Sequence, residues 1–472
     1  MAKITDIPHR IVNVGDVVSA TTISVYEAGT STLIDLYDDA TLTNLIDNPL
    51  EIPSGNPIPP LYHDFAGLVR VQITNASGTI FDDDPYDQPV SANDLSSVSG
   101  AGLVGLQQSG TNTRARTVAE KSNEVVSVSD FVDIGPQGTN DASAGFTQAI
   151  HDGRSLLFPN GVIRIDSDLT LSPQALDLSG SGKNSILDFS GGGSLYLKTD
   201  PMALPDLATD VVGGQNRVEF AIAHGLNEGD VFALWNPTDG SFFADRPYYR
   251  DGAMFRVAEV VSLTELRIYG VAKRNFSAAN FKTYKISGGR VSLKNLHIIP
   301  NASGGVPLFI DGYQGINIEG ISCDSGAPDT AICLKRCYDF HVAGTRSTVQ
   351  AGDAYPVIIA NCQKGIVDHL VNYSTRHCVA FGGGSGDATV PTADIEVSHC
   401  LFDNIASNGI GAMDGAHGNC EDIIFSHNIL KCGLNLGGAN MTYLNNIIYG
   451  APPPANGGSG LCAYRSVIKG SV

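Results

Sequence analysis

A chain of 472 residues is too long for one ordinary compact core and is expected to divide into domains. Glycine is abundant at 53 residues, while charged residues make up 17% and aromatics 7%, a mix that favours many β-turns over helices. The formal charge of −20 argues against nucleic acid or an anionic membrane as the main partner, and any anionic ligand would need locally placed Arg or Lys.

The nine cysteines all lie from Cys323 onward, singly within apolar strand patterns and without a C-x-x-C pair at zinc spacing. Reduced, buried thiols are expected there, with no metal site and no cofactor. The opening MAKITDIPHR is polar, and no run of about 18 apolar residues occurs, so neither a signal peptide nor a membrane span is expected. Synthesis in a cytoplasm follows.

Residues 1–90 read as a first unit of short strands. The turns fall at Ala28-Gly29, Asp38-Asp39 and Asn48-Pro49, and LVRVQITNASGTIFDDD reads as a hairpin turning between Asn75 and Gly78. The pattern predicts a small β-sandwich. The frame of Tyr26, Ala28, Gly29, Thr30, Thr32, Tyr37, Asp39, Asn48 and Pro49 also resembles the N-terminal module of phage tail fibres and tailspikes. That resemblance implies attachment to phage tail or baseplate proteins. Residues 91–125 are rich in Ser, Gly and Ala and read as a linker, similar to the neck that precedes a tailspike β-helix. The likeness implies a homotrimer, in which each solenoid gains by burying one face.

Residues 126–201 begin with VSVSDFVDIGPQGTNDASAGFTQAI, an alternating strand, a Gly-rich turn and a short helix that Asn140 or Asp141 can cap. A strand, turn and helix before hundreds of residues of short strands fit the plug of a solenoid. Val126, Val128, Asp130, Phe131, Gly135, Gly138, Thr139, Asp141 and Ile150 resemble the opening of pectate-lyase-like tailspikes, whereas Val132 and Asn140 depart from it. The first coils are expected over Phe158–Gly192. Residues 202–284 are richer in aromatics and charge and read as an inserted β-domain.

Residues 285–472 read as the main solenoid. Aligned strand–bend–strand units put Asn295, Gly320, Gly344, His369, His399, His427 and Asn445 in one column, spaced by 25, 24, 25, 30, 28 and 18. That is a solenoid period with insertions. The expected fold is therefore all-β: a right-handed parallel β-helix with an N-terminal sandwich and an inserted β-domain. The three histidines read as polar residues stacked at a bend rather than as metal ligands.

The two longest spacings mark loops over one face. Arg376-His377 followed by Gly382-Gly383-Gly384 resembles an RHxxxxGG element of tailspike glycan depolymerases, and MDGAHG, with Asp414 and His417, resembles the Asp–His element that follows it there. Hydrolysis would need two carboxyl groups, with Asp414 as one candidate and Glu421, Asp422, Asp387 or Asp394 as the second. Lyase elimination would need a cation and a base, for which Arg376 with His377 or His417 is suited. Arg246 or Arg250 beside Tyr248 and Tyr249 fits as well. The residues leave both routes open. Trp235, Arg246, Tyr248, Tyr249 and Arg250 form the candidate glycan-binding cluster, in which packing is the alternative role.

The resemblance as a whole implies a phage tailspike, located in the virion, that binds and depolymerises a bacterial surface polysaccharide. A tail fibre that only binds glycan, or a purely structural virion protein, is the alternative.

Overall fold

The computed structural model describes residues 2–4, 20–39, 41–56, 59, 61–65, 68–84, 105–106, 116–118, 125–132, 138–151, 155–238, 248–301, 305–324, 330–349, 355–383, 386–404, 413–414, 419–431, 434–436, 438–449 and 461–463. The chain forms two compact units, Met1–Ser122 and Asn123–Val472. Most of the expected neck, and the end of the chain past Tyr449 apart from Leu461–Ala463, lie outside the described residues.

The first unit is a sandwich of two four-stranded sheets. Thr21–Glu27, Val69–Asn75 and Gly78–Asp83 pair antiparallel in one of them, and the last two make the expected hairpin. In Val69–Asn75 the residues alternate, so Val69, Val71 and Ile73 join Ile23, Val25, Leu36 and Leu61 in the core. The polar frame residues fasten loops. Asn48 donates to the carbonyls of Val25 and Ile34 and accepts from Val25 N–H at 3.0 Å. Asp39 accepts from the backbone N–H groups of Thr41, Thr43 and Asn44, at 2.7 Å for the last.

The second unit opens on the plug. Val125–Ser127 is a strand, but Val128–Asp130 is a 3-10 turn, so the strand ends sooner than its Val alternation predicts. Ser127 and Asp130 close a reciprocal capping box around that turn, which satisfies two backbone donors and stops the strand. Helix α1 (Ser143–His151) follows, with Asp141 accepting from Ser143 N–H at 3.0 Å. The helix buries Phe146, Ala149 and Ile150 over the first coil, and Phe146 meets Phe158 edge-on.

Beyond the plug each coil has three strands. First-row strands such as Tyr338–Ala343, Gln363–Asp368, Thr392–Ser398 and Cys420–Ser426 stack in parallel with second-row strands such as Arg346–Val349, Val371–Ser374, Leu401–Asn404 and Ile429–Lys431 beside them. Rows one and two form one 17-stranded sheet among the described residues, and the third row, with Thr330–Lys335, Tyr355–Ala360 and Val379–Gly382, belongs to a nine-stranded sheet. This is the right-handed parallel β-helix. Its interior is one continuous apolar column. Cys323, Cys333, Cys337, Cys362, Cys378, Cys400 and Cys420 are all buried.

The bend between rows one and two falls on the column read from spacing. Asn295, Gly320, Gly344, His369, His399, His427 and Asn445 all have φ between 53° and 64°. This left-handed region suits Gly and Asn and tolerates His where the side chain finds neighbours. The imidazoles of His369, His399 and His427 stack at 5.3 Å, with interplanar angles of 13° and 5°.

Between Lys198 and Val291 the chain leaves the helix and builds a six-stranded sheet, in the order Met202–Ala203, Lys282–Ile286, Val231–Trp235, Gly252–Val260, Glu265–Ile268 and Arg217–Glu219. Phe220, Phe232, Phe255 and Phe276 fill its own core.

Candidate functional site

A second left-handed column lies one strand-length before the first. Gly315, Asp339, Lys364, Asp394, Asp422 and Asn440 have φ between 53° and 65°, and Asp339, Lys364, Asp394 and Asp422 follow one another coil by coil through the first row. Side chains at such positions form a ladder of charge down the face of the solenoid.

The inserted domain supplies the opposite charges. Arg256 donates to Asp339 at 2.7 Å and lies over the Tyr338 ring. Lys273 bridges Asp394 and Asp422, at 2.5 Å from the latter, and Lys364 meets Asp394 at 3.0 Å. Arg274 holds both Glu421 oxygens at 2.8 and 2.9 Å and also pairs with Asp251. Burial pushes the Asp394 carboxyl upward, but hydrogen bonds from Lys273 and Lys364 outweigh it and leave the group below the usual range. Burial likewise pulls Lys273 down, and its two aspartates more than restore it.

Apolar contact completes this seam. Val231, Ala233, Met254 and Ile286 of the insert pack with Tyr338, Ala388 and Val390 of the coils. Residues 386–391, part of the longest expected loop, are tied down by Asn361 to Val390 O at 2.7 Å and Gln363 to Pro391 O at 3.0 Å. A Cβ on Gly383 would come within 2.5 Å of Asn419 and 3.0 Å of Tyr249, so this glycine of the RHxxxxGG stretch lets the insert approach.

Several sequence candidates therefore sit in a docking seam. Glu421 is engaged by Arg274 at the start of a first-row strand. Asp394 and Asp422 are engaged by Lys273. The only tryptophan, Trp235, is 9% exposed and meets Tyr284 edge-on, which leaves little ring face for a sugar. Tyr249 is 1% exposed and meets Tyr248 edge-on, whereas Tyr248 itself is exposed. Arg250 donates to Tyr249 O at 3.1 Å. The packing alternative accounts for Trp235 and Tyr249. Arg246 lies outside the described residues.

Arg376 and His377 occupy a different corner, between the second and third rows. Arg376 lies over the Tyr355 ring at 5.2 Å, and buried His377 meets the same ring at 5.7 Å. Asp414 is in register with Ala380, within the third-row strand Val379–Gly382 of the neighbouring coil and three residues past His377, and Glu421 stands at the start of the first-row strand that follows. His417 lies outside the described residues.

The sequence reading missed the face beside the charge ladder. A groove of 690 Å³ crosses the first row there, lined among others by Arg290, Asp339, His341, Lys364 and Glu396. Glu396 lies in register between Ile366 and Ile424, both large exposed side chains. Among the described residues its carboxylate meets no cation, and it accepts a hydrogen bond from Ser426 at 3.4 Å. His341 reaches Asp368 at 2.8 Å; burial pushes that carboxyl up, and His341 and His369 outweigh it to hold it below its usual range. A carboxylate without a cation between apolar side chains combines an acceptor for hydroxyls with surfaces for the C–H face of a ring.

Residues 326–472 match the Gp49 pectin lyase-like family, and residues 201–286 match the Ig-like domain of tailspike-like proteins. The fold is similar to the tailspike gp49 of Pseudomonas phage LKA1, at 24% identity and a TM-score of 0.64, covering 69% of this chain and 60% of that one. It is similar to the tailspike gp61 of Pseudomonas phage phi297, at 23% identity and 0.65, covering 74% and 64%. It also resembles the gp54 tailspike of Acinetobacter baumannii bacteriophage AP22, solved with A. baumannii capsular saccharide, at 24% and 0.60, covering 71% and 55%. The chain thus spans less than two thirds of the length of these tailspikes. No curated protein matches it. Two stretches of the chain, residues 201–286 and 326–472, thus match domain families of tailspike-like and pectin lyase-like proteins, and the solved tailspikes share its β-helix fold.

Proposed function

We propose that this chain is a virion tail component that binds a bacterial surface polysaccharide in the groove beside the charge ladder and cleaves it there. The observation that carries the reading is Glu396, an exposed carboxylate with no cation partner among the described residues, set between Ile366 and Ile424. Asp339 is the nearest exposed acid of the same groove, two coils away and two residues earlier along the strand, or about 12 Å between the backbones at the spacings of stacked strands. With the two side chains reaching toward each other across the groove, that backbone separation suits the ~6.5–9.5 Å of inverting hydrolysis better than the ~5 Å of retaining enzymes. Glu396 would be the base that activates water, and Asp339 would serve as the acid only once the bound glycan draws Arg256 off it and the carboxylate takes up a proton. The saccharide bound by the AP22 tailspike supports a glycan as the ligand class.

The corner of Arg376 and His377 supports a second route, elimination from a uronate, in which Arg376 would stabilise the enolate and a histidine take the proton. A third reading is binding without cleavage; it is favoured by the neutralisation of Asp339, Asp394 and Asp422 by cations of the insert.

The assembly we propose is a homotrimer, attached to phage tail or baseplate proteins through residues 1–90. Val371, Leu401, Ile429 and Ile447 form an outward apolar column on the second row, with Ile429 38% and Ile447 53% exposed. Such a column is suited to burial against a second copy. No helix among the described residues is long and apolar enough to cross a membrane.

The test is incubation with capsule or lipopolysaccharide, following reducing ends and unsaturated uronate absorbance. Reducing ends alone, lost in Glu396→Gln, would support hydrolysis in the groove. Reducing ends with new absorbance, lost in Arg376→Ala, would move the chemistry to the other corner. Binding with neither signal would leave a receptor-binding spike.

A further inference from the structure

The inserted domain also borders a second cavity. It measures 680 Å³ and is lined by Glu228, Arg256 and Tyr269 from the insert and by Tyr338, Asp339 and Lys364 from the coils. Asp339 and Lys364 line the 690 Å³ groove too, so the two spaces meet at those side chains.

Tyr269 is 61% exposed, directly after the strand Glu265–Ile268. Its backbone N–H donates to Arg256 O at 2.9 Å, which fixes the base of the side chain, and among the described residues its ring stacks on nothing. Across the cavity Arg256 is held twice, over Tyr338 and against Asp339. Glu228 is exposed and carries no ion pair among the described residues. The wall therefore offers one open aromatic face, the carboxylates of Glu228 and Asp339, the latter shared with Arg256, and one partly exposed ammonium, that of Lys364.

We propose that this cavity is a remote subsite in which a pyranose unit of the polysaccharide stacks on Tyr269, so that the inserted domain reads sugars outside the unit held at Glu396. The C–H face of a pyranose fits an aromatic ring, and its equatorial hydroxyls donate to Glu228 and Asp339 and accept from Lys364. A short apolar peptide would leave those charged groups unpaired, and a flat aromatic ligand would use Tyr269 but not the carboxylates. Because the subsite shares Asp339 and Lys364 with the groove, a chain long enough to fill both is bound in one event. Its affinity then depends on length.

This inference rests on the groove being the glycan site, and the experiment separates the two. Glu396→Gln is used as the background, so that substrate survives. Binding is measured calorimetrically with single-repeat and several-repeat oligosaccharides from a panel of capsules and O-antigens. Adding Tyr269→Ala should weaken the longer ligand about five- to tenfold while leaving the single repeat unchanged, and Tyr269→Phe should restore it. Equal binding of the longer ligand by the Ala and Tyr forms overturns the subsite but leaves the groove standing. Failure of every oligosaccharide to bind overturns the groove, and the subsite with it.

Discussion

Arg274 of the inserted domain grips both oxygens of Glu421 on the solenoid through one nitrogen, at 2.8 and 2.9 Å. The pair gives Glu421 a structural task, and that task separates from catalysis by experiment. Glu421→Gln removes the charge and keeps the shape, so it should lower the stability of the docked insert while kcat is kept. With Arg274 a third exposed, the loss should be about 1–3 kcal/mol rather than that of a fully buried pair. Thermal melts beside turnover measure the two effects, and a variant with intact melting but no turnover would return Glu421 to the chemistry.

Gly365 makes room for Phe340 one coil below. A Cβ at Gly365 would come within 2.0 Å of the phenyl ring, where the interior column otherwise carries Ile316, Ile395 and Ile423. Gly365→Ala should cost about 1–3 kcal/mol through overpacking, and Phe340→Leu in the same chain should recover part of it. Denaturant titration of the single and double variants checks the coupling.

Asn428 is buried and ties three coils. Its Oδ1 accepts from Cys400 N–H at 2.9 Å, and its Nδ2 donates to Val397 O at 2.9 Å and to Asn446 at 3.0 Å. Asn428→Leu would leave the Cys400 N–H and the Val397 carbonyl without partners, a loss of about 2–4 kcal/mol. Hydrogen exchange should quicken at Cys400 N–H and its neighbours, and unchanged protection there would refute the role.

The seam also has a pH range. Asp394 is held below its ordinary range, so its contribution is complete above the unfolded value of about 3.9 and fades as pH falls through the lower folded value. Lys273 is held above its ordinary value, so its contribution is complete below about 10.4 and fades as pH rises through the higher folded value. The insert should therefore hold its place across the neutral range and loosen at both extremes. Trp235, the only tryptophan, lies in the insert, so its fluorescence reports on that transition.

Much of the fold is legible because a solenoid repeats its geometry. The spacing of Gly320, Gly344, His369, His399 and His427 marks a bend, and all of them adopt the left-handed backbone that a bend needs. The charge ladder has the same spacing. Gly315, Asp339, Lys364, Asp394 and Asp422 stand five residues earlier and repeat at 24, 25, 30 and 28, so the same alignment shifted by five would have found it. What no spacing shows is that Arg256, Lys273 and Arg274, far earlier in the chain, close onto that ladder. Glu421 and Trp235 look functional in sequence because acids and aromatics serve sugar sites, and only the docked insert shows them occupied with packing.

The contacts of the insert touch coil after coil: Asp339, then Gln363, then Asp394, then Glu421 with Asp422. Stacked coils come apart most easily one at a time, from an end, because each peeled strand breaks only its own ladder. Here the insert acts as a splint laid across the grain. Peeling from the last coils proceeds freely to Cys420–Ser426, and there it must release several coils together or tear the splint away. Under load the described coils would then part beyond that strand, which itself gives Asp422 and Ile424 to the groove, so the groove stays whole.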